Sequence, residues 1–485
     1  MRRVHSSFCF CFCFCMLTLS GISEAEQSFE AFDRDPGWDG HQNRIVRPET
    51  VRQDFGCSTD TAHAGGARGE VGGTIQPAAE AAYFAIPVTG LNLHTPFRAS
   101  GKLFVKKGGG HFLLGFFNDG TQNEWRTPNT AAFRILQRGE TFYCYPEYCS
   151  AKWRAASGVV GTYNAATDRF TEVELPADTA YAWSLAFEPD ANEGEGRFVA
   201  QFGKHEIVTA LDPKIKEDGA AFNRFGLLPV MKQWDSAGQA WIDDVTVQGR
   251  SFDFADGADG WIGLNNRTTY ETRNVRPRFD FGWTNTAYAG GRAAGELGGL
   301  FFRGDCRYPE KLAHYGARVE GLTLRQPLHA SGKVALRRGV SDSTTLFGFY
   351  HAAESLRVNP QQNNATPCQV LGVNIEGPSA EGFYFYPVLR GSGDTLHPRG
   401  YLGAPRIYPD GRSHSWTLDY VPADGVTPAR VAVTLDDQHI EQVIPAAVLA
   451  EKIVFDHFGL ITPWIDGNGQ TVFFDDIDFT IRQVR

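Results

Sequence analysis

Helical periodicity is almost missing from this chain. Only "PKIKEDGAAF" (Pro213–Phe222) and "PAAVLAEKIVF" (Pro445–Phe455) repeat apolar residues at a helical interval, which excludes a mainly α-helical plan. Methionine is scarce, at 3 residues. Basic runs are missing as well. The chain has 46 Lys and Arg against 56 Asp and Glu, with no cluster able to track phosphates, so nucleic acid is not an expected partner. There is no Cys-x-x-Cys and no Cys/His cluster, which argues against a zinc site. The G-x-S-x-G, H-E-x-x-H and P-loop motifs are also absent.

The first 25 residues differ from the rest. "MRRVHSSFCFCFCFCMLTLSGISEA" begins with Arg2 and Arg3, continues with an apolar stretch from Phe8 to Leu19, and closes on Ser23-Glu24-Ala25. A basic start, a core of about 12 apolar residues and small residues at −3 and −1 are the plan of a secretory signal peptide. The core is too short to span a bilayer, which needs roughly 20 residues. A signal peptide over 1–25 is therefore expected, with cleavage after Ala25, a secreted or periplasmic location and no membrane insertion. Cleavage moves the formal net charge of −10 one unit further negative. It also removes four of the 9 cysteines and leaves Cys57, Cys144, Cys149, Cys306 and Cys368. An odd number implies at least one thiol outside any intrachain bridge. Export permits disulfides. Cys144 with Cys149 across a hairpin, and Cys306 with Cys368 between two loops, are the pairings considered.

What the chain does have is glycine, 53 residues of it, and an internal echo. "DFGCSTDTAHAGGARGEVGG" (Asp54–Gly73) returns as "DFGWTNTAYAGGRAAGELGG" (Asp280–Gly299). "GWDGHQNR" (Gly37–Arg44) returns as "GWIGLNNR" (Gly260–Arg267), and "FYCYP" (Phe142–Pro146) as "FYFYP" (Phe383–Pro387). "WIDDVTV" (Trp241–Val247) returns as "FFDDIDF" (Phe473–Phe479). The order is the same in both halves, and the offset drifts as small loop insertions require. This is a duplication of about 220 residues, with copies at 28–249 and 250–485.

Each copy is a string of short β-type runs, such as "HFLLGFF", "YAWSLAF" and "RFGLLPV", punctuated by Gly, Asn, Asp and Pro. Many strands at this spacing predict an antiparallel sandwich. The expected fold is all-β: two tandem antiparallel β-sandwich domains of jelly-roll type.

A copy that opens "FE…GW", carries a late "FGL" strand and closes on "WIDDV" resembles the concanavalin A-like lectin/glucanase sandwiches. It also resembles the calcium-bearing jelly-roll carbohydrate-binding modules, whose last strand commonly reads Asp-Asp-Val. A further likeness, to secreted bacterial proteins with the W-x-G-x-x-N-R and Gly-Glu-x-Gly-Gly motifs, implies no function. The resemblance implies a sandwich fold and carbohydrate recognition. It invites a glucanase reading too, but E-x-D-x-E occurs in neither copy, and E-x-D-x-x-E occurs only at Glu188–Glu193, where Pro189 interrupts the strand alternation that this chemistry uses.

Four groups of residues are candidates. Asp243 with Asp244, and Asp475 with Asp476, lie in the closing strands, where one carboxylate of each pair could serve a structural Ca²⁺ or cap loop N–H groups without metal. Glu70 and Glu296, between glycines, could shape a rigid turn or a loop that a sugar approaches closely. Asn43 with Arg44, and Asn266 with Arg267, offer an amide and a planar fork to a ligand, or else each arginine pairs with a glutamate inside its own copy. Tyr143 with Tyr145, and Tyr384 with Tyr386, alternate on one strand face and could form a sugar-stacking platform or the rim of a core. His111 and His351 flank equivalent strands without matching each other; with Tyr and Arg they would suit a lyase base.

The expected function is an exported, monomeric, carbohydrate-recognising protein that needs no cofactor and binds a polysaccharide or other glycan through both copies. The alternatives are a polysaccharide-degrading lyase or glycoside hydrolase, and a structural envelope protein without ligand. Polar motif residues survive in both copies, which favours binding or structure over catalysis.

Overall fold

The computed structural model describes residues 25–482, apart from 46–47, 123–126, 165, 167–168, 232–235, 273–278, 341, 362–365, 378–381, 394–395, 398–402 and 465–466. The signal-type segment 1–24 lies outside the described residues.

The alternating runs form antiparallel sheets, as their period requires. Thr179–Glu188 turns Trp183, Leu185 and Phe187 inward and leaves the residues between them more exposed. His111–Phe117 is buried at every position, because its sheet is covered on both faces. The first sandwich pairs a nine-stranded sheet with an eight-stranded one. In the nine-stranded sheet, Phe97–Val105 and Gly238–Val247 lie side by side at the centre. In the other, His111–Phe117 lies between Thr130–Arg138 and Ala221–Pro229. Phe97, Leu103 and Trp183 of one sheet meet Phe112, Phe133 and Phe225 of the other in a single core. Trp183 stacks on Phe225 with ring centroids 5.9 Å apart. The second sandwich repeats the plan with Trp416, Phe347, Phe458 and Phe474 at its centre. Each such side chain contributes roughly 1.5–3 kcal/mol through burial.

Both expected helices form, as short pieces at Pro213–Asp218 and Ala446–Leu449. The first is capped by the Asp212 carboxylate, which accepts from Lys214 N. Neighbouring residues of both stretches were drawn into strands, where burial outweighs a weak local preference.

The cores divide the chain differently from the repeat. Arg250–Phe252 pairs with Gly238–Val247 through a two-residue turn at Gln248 and Gly249, whose φ values are 50° and 82°. Ile262–Leu264 then edges the eight-stranded sheet beside Tyr83–Asn92, and Arg267–Thr272 edges the nine-stranded sheet beside Glu49–Ser58. Phe252, Phe254 and Trp261 enter the first core. In the second sandwich the N-terminal segment fills the same three positions. Ala25–Glu30 pairs with Gly469–Arg482, Asp39–His41 with His314–Thr323, and Arg44–Ile45 with Phe279–Thr284. Phe32 joins the second core, with Trp38 packed against it. Each copy's opening motif thus completes the other copy's sandwich.

Cys144 and Cys149 sit in one strand, Thr141–Cys149, and not across a hairpin. Five steps along a strand span roughly 16 Å, well past the ~7 Å Cα separation that a disulfide tolerates. That pairing is excluded.

Candidate functional site

The exchange explains the repeated motifs. Asn43 Nδ2 donates to Phe281 O at 2.6 Å, and Asn266 Nδ2 to Phe55 O at 2.5 Å. Arg44 Nη1 donates to Asp280 Oδ1 at 2.7 Å and also reaches Trp283 O; Arg267 Nη2 donates to Cys57 O at 2.8 Å. Each Asn-Arg pair is spent docking its segment onto the Asp-Phe-Gly strand of the other copy. The glycine of that strand makes room for the approach. A Cβ on Gly56 would lie 3.1 Å from Asn266 Nδ2, and one on Gly282 would lie 3.0 Å from Asn43 Nδ2.

Glu70 and Glu296 are fully buried. Glu70 accepts from the backbone N–H of His63 at 2.8 Å and of Ala64 at 2.9 Å, and its other oxygen meets His63 Nδ1 at 2.6 Å. Glu296 accepts from Thr286 Oγ1, from Tyr288 N and from Ala289 N. Each closes the glycine-rich loop ahead of it, satisfying donors that would otherwise be stranded under the loop.

Asp243 and Asp475 stand beneath the same loops. A Cβ on Gly65 would lie 1.6 Å from Asp243 Oδ2, and one on Gly291 would lie 2.1 Å from Asp475 Oδ2, so only glycine fits above either carboxylate. Asp243 Oδ1 accepts from Asp244 N at 2.7 Å, as Asp475 Oδ1 does from Asp476 N. Asp475 Oδ2 also takes Gly291 N at 3.1 Å. Burial pushes Asp243 up to about 6 and Asp475 up to about 7, with the neighbouring carboxylates adding in the same direction. Asp244 pairs with Lys102 Nζ at 2.6 Å, and Asp476 with Arg292 Nε at 3.4 Å. Ca²⁺ asks for six to eight oxygens. Here Asp243 Oδ1 and both Asp475 oxygens accept from backbone N–H groups, Asp244 and Asp476 pair with cations, and among the described residues no group of three or more His, Cys, Asp or Glu could hold a metal ion. The donor set is that of loop-capping carboxylates and does not fit a calcium cage.

The tyrosine pairs occupy equivalent register positions. Tyr145 lies opposite Arg134 and Tyr143 opposite Leu136; Tyr386 lies opposite Asn374 and Tyr384 opposite Glu376. Their surroundings differ. Tyr384 and Tyr386 are buried, at 6% and 7% exposure, and pack with Ala404 against Ile440. The Tyr386 hydroxyl is held by Glu376 and Asn374, and Glu376 by Arg303 at 2.8 Å. This pair is core rim rather than platform, because the chain around Ala404 folds over it.

Tyr143 and Tyr145 remain half-exposed. Their rings stack along the strand, centroids 6.4 Å apart and planes at 25°. The Arg134 guanidinium lies 4.0 Å over the Tyr145 ring and that of Arg138 5.2 Å over Tyr143. Arg134 is itself fixed by Glu147 Oε2 at 2.8 Å. The Tyr143 hydroxyl donates to Glu174 at 2.7 Å and that of Tyr145 to Glu172 at 3.1 Å. The bond to Glu174 raises the Tyr143 phenol, while burial and Glu172 push Tyr145 up to about 12, so both hydroxyls stay protonated as donors. The result is an outward ledge of two aromatic rings, bordered by Glu172, Glu174 and Arg138. The sequence reading missed those three and Arg134. The i, i+4 spacing of Arg134 and Arg138, with Leu136 at i+2 on the same strand face, carried the signal for the arginines; the carboxylates arrive from a separate segment and left none.

The unmatched histidines also differ in setting. His111 is buried beside Arg134, at 3.4 Å. His351 reaches Asp456 Oδ2 at 3.4 Å, next to a cluster in the second sandwich alone. There His314 Nδ1 meets the Tyr350 hydroxyl at 2.8 Å, and His457 lies between Asp456 and Asp39. Tyr350 is fully buried and burial holds His314 down to about 4, while Asp39, meeting His457 at 3.3 Å, fastens the docked N-terminal segment to this cluster.

No family model matches the chain, and no curated protein matches it in sequence. Among solved structures it is similar to domains LG4-5 of the mouse laminin alpha1 chain, at 13% identity and TM-score 0.24, over 88% of this chain and 91% of that one. It is similar to the Emp47p carbohydrate recognition domain at 10% identity and TM-score 0.25, over 44% of this chain and 92% of that one. Botulinum neurotoxin type C, whose cell entry depends on interaction with two ganglioside molecules, aligns at 9% identity and TM-score 0.22, over 95% of this chain and 98% of that one. The assignment of two tandem β-sandwiches rests on this chain's own sheet topology.

Proposed function

We propose that this is an exported carbohydrate-recognising protein whose glycan site is the Tyr143–Tyr145 ledge of the first sandwich. The observation that supports the reading is the outward, stacked pair of phenol rings with protonated hydroxyls and flanking Glu172, Glu174 and Arg138. Aromatic faces match the C–H faces of sugar rings, and the carboxylates and guanidinium offer directional bonds to sugar hydroxyls. Recognition then belongs to one copy instead of both, because Tyr384 and Tyr386 are covered. Cleavage chemistry has less to support it: Glu70 and Glu296, the glutamates of the repeated loop motif, are fully buried and saturated with donors. A glycan array with the mature chain, followed by product analysis on each hit, tests the reading. Binding without chain scission is the expected result; release of shortened products would replace it with an enzymatic function.

A further inference from the structure

The second copy carries two connections that are longer than their counterparts. The link between Glu296–Phe302 and His314–Thr323 runs over 303–313, where the first copy uses only 76–82. The link between Thr344–Tyr350 and Val370–Glu376 runs over 351–369, against 118–129 in the first copy. Each longer link contains one cysteine, Cys306 and Cys368, and neither shorter link contains any.

The two links converge. Cys306 and Cys368 are both buried, at 1% and 3% exposure, in one small cluster with Leu312 and Trp464, and Leu356 packs against it. Trp464 ties the two backbones together. Its carbonyl accepts from Cys306 N at 3.1 Å, and its indole N–H donates to Ser355 O at 2.7 Å. The Ser355 hydroxyl in turn donates to Cys368 O at 2.6 Å. From the other side, Asn359 N donates to Cys306 O at 2.8 Å. Burial pushes both thiols up, so neither is poised as a nucleophile or a metal ligand in the folded chain. Leu356 also packs on Leu346, Tyr350 and Val388, the outer face of the eight-stranded sheet, so the cluster anchors a cover over that face.

We propose that Cys306 and Cys368 join in a disulfide during folding outside the cytoplasm, tying the two links together where they meet at Trp464. The two S–H bonds break and one S–S bond forms. Two electrons and two protons pass to the disulfide of a thiol oxidant, which leaves as its dithiol. The oxidation precedes closure of the cluster, because the thiols are inaccessible once Trp464 and Leu356 are seated. The inference rests on export for its setting and is independent of the glycan reading.

The test starts from the full mature chain, reduced and denatured, then refolded in a mixture of oxidised and reduced glutathione. Alkylation under denaturing, non-reducing conditions should label Cys57, Cys144 and Cys149 and spare Cys306 and Cys368. Peptide mapping should recover residues around 306 and 368 as one cross-linked pair. A chain refolded in excess reductant should be cut within 351–361 about tenfold faster or more than the chain refolded oxidatively, as expected when a loop lacks its tether. The Cys306→Ser/Cys368→Ser double variant should be cut at that faster rate whether it is refolded oxidatively or in reductant. Labelling of all five cysteines, or bridging of either residue to Cys57, Cys144 or Cys149, would overturn the proposal.

Discussion

Trp38 stands edge-on to Phe479, with ring centroids 6.0 Å apart and planes at 79°. One residue belongs to the opening motif of the first repeat and the other to the closing strand of the second. Trp261, the repeat-equivalent of Trp38, packs instead against Phe252, Phe254 and Phe225 of the first core. The duplicated chain therefore closes on itself, with its N-terminal segment supplying to the second sandwich what residues 250–272 supply to the first.

Fragments cut at the repeat boundary should fold less well than fragments cut at the core boundary. A 28–249 fragment lacks Phe252, Phe254 and Trp261; a 49–272 fragment keeps them. Scanning calorimetry should give 49–272 a single cooperative transition at a Tm at least several degrees above that of 28–249. Equal melting temperatures would mean that the tail is a passenger.

Tryptophan replacement should act on the sandwich that holds the ring, not on the repeat that encodes it. Trp261→Ala should lower the stability of the first sandwich by about 3–5 kcal/mol, as for a buried aromatic. Trp38→Ala should weaken the second sandwich, and by less, because Trp38 is only half-buried. Hydrogen exchange resolved by peptide separates the two: the loss of protection for Trp38→Ala should fall on 279–482.

Asp475 should make stability depend on pH. Its folded value is about 7 against an ordinary 3.8, so the folded chain binds the proton more tightly than the unfolded chain. The penalty for burying the ionised carboxylate is absent below about pH 4, grows as pH rises, and is complete above about pH 7. Asp475→Asn should accordingly gain on the parent between pH 4 and pH 8, by an amount on the order of 1–4 kcal/mol in urea melts. A difference that stays flat with pH would show that Asp475 is not strained by its burial.

Calcium should leave the molecule unchanged. Lys102 neutralises Asp244, and backbone N–H groups occupy Asp475. Millimolar Ca²⁺ and excess chelator should give the same Tm within about 1 °C, whereas a tightly bound structural ion would raise it by mass action.

Much of the fold could be read in advance, since alternation in runs such as "YAWSLAF" fixes which face is buried, and the duplication fixes the number of sandwiches. The exchange could not. A strand at a sheet edge accepts any segment of suitable pattern, and the two opening motifs are nearly interchangeable, so only the finished packing shows which sandwich each one completes. The site was half legible for a similar reason. The alternating tyrosines were evident in both copies, but their exposure depends on the chain around Ala404 and on Glu172 and Glu174, which come from distant segments. The polar motif residues kept in both copies take matching docking contacts, Asn43 and Arg44 on Phe281 and Asp280, Asn266 and Arg267 on Phe55 and Cys57.

The most direct test of the account is titration calorimetry of the mature chain with the strongest glycan hit, repeated with Tyr143→Ala, Tyr145→Ala and Tyr384→Phe. A shallow ledge of this kind should bind at about 0.1–1 mM. Removing either exposed ring should weaken binding at least tenfold, while Tyr384→Phe should leave it unchanged. Equal loss in all three variants, or undiminished binding without Tyr143 and Tyr145, would contradict the account.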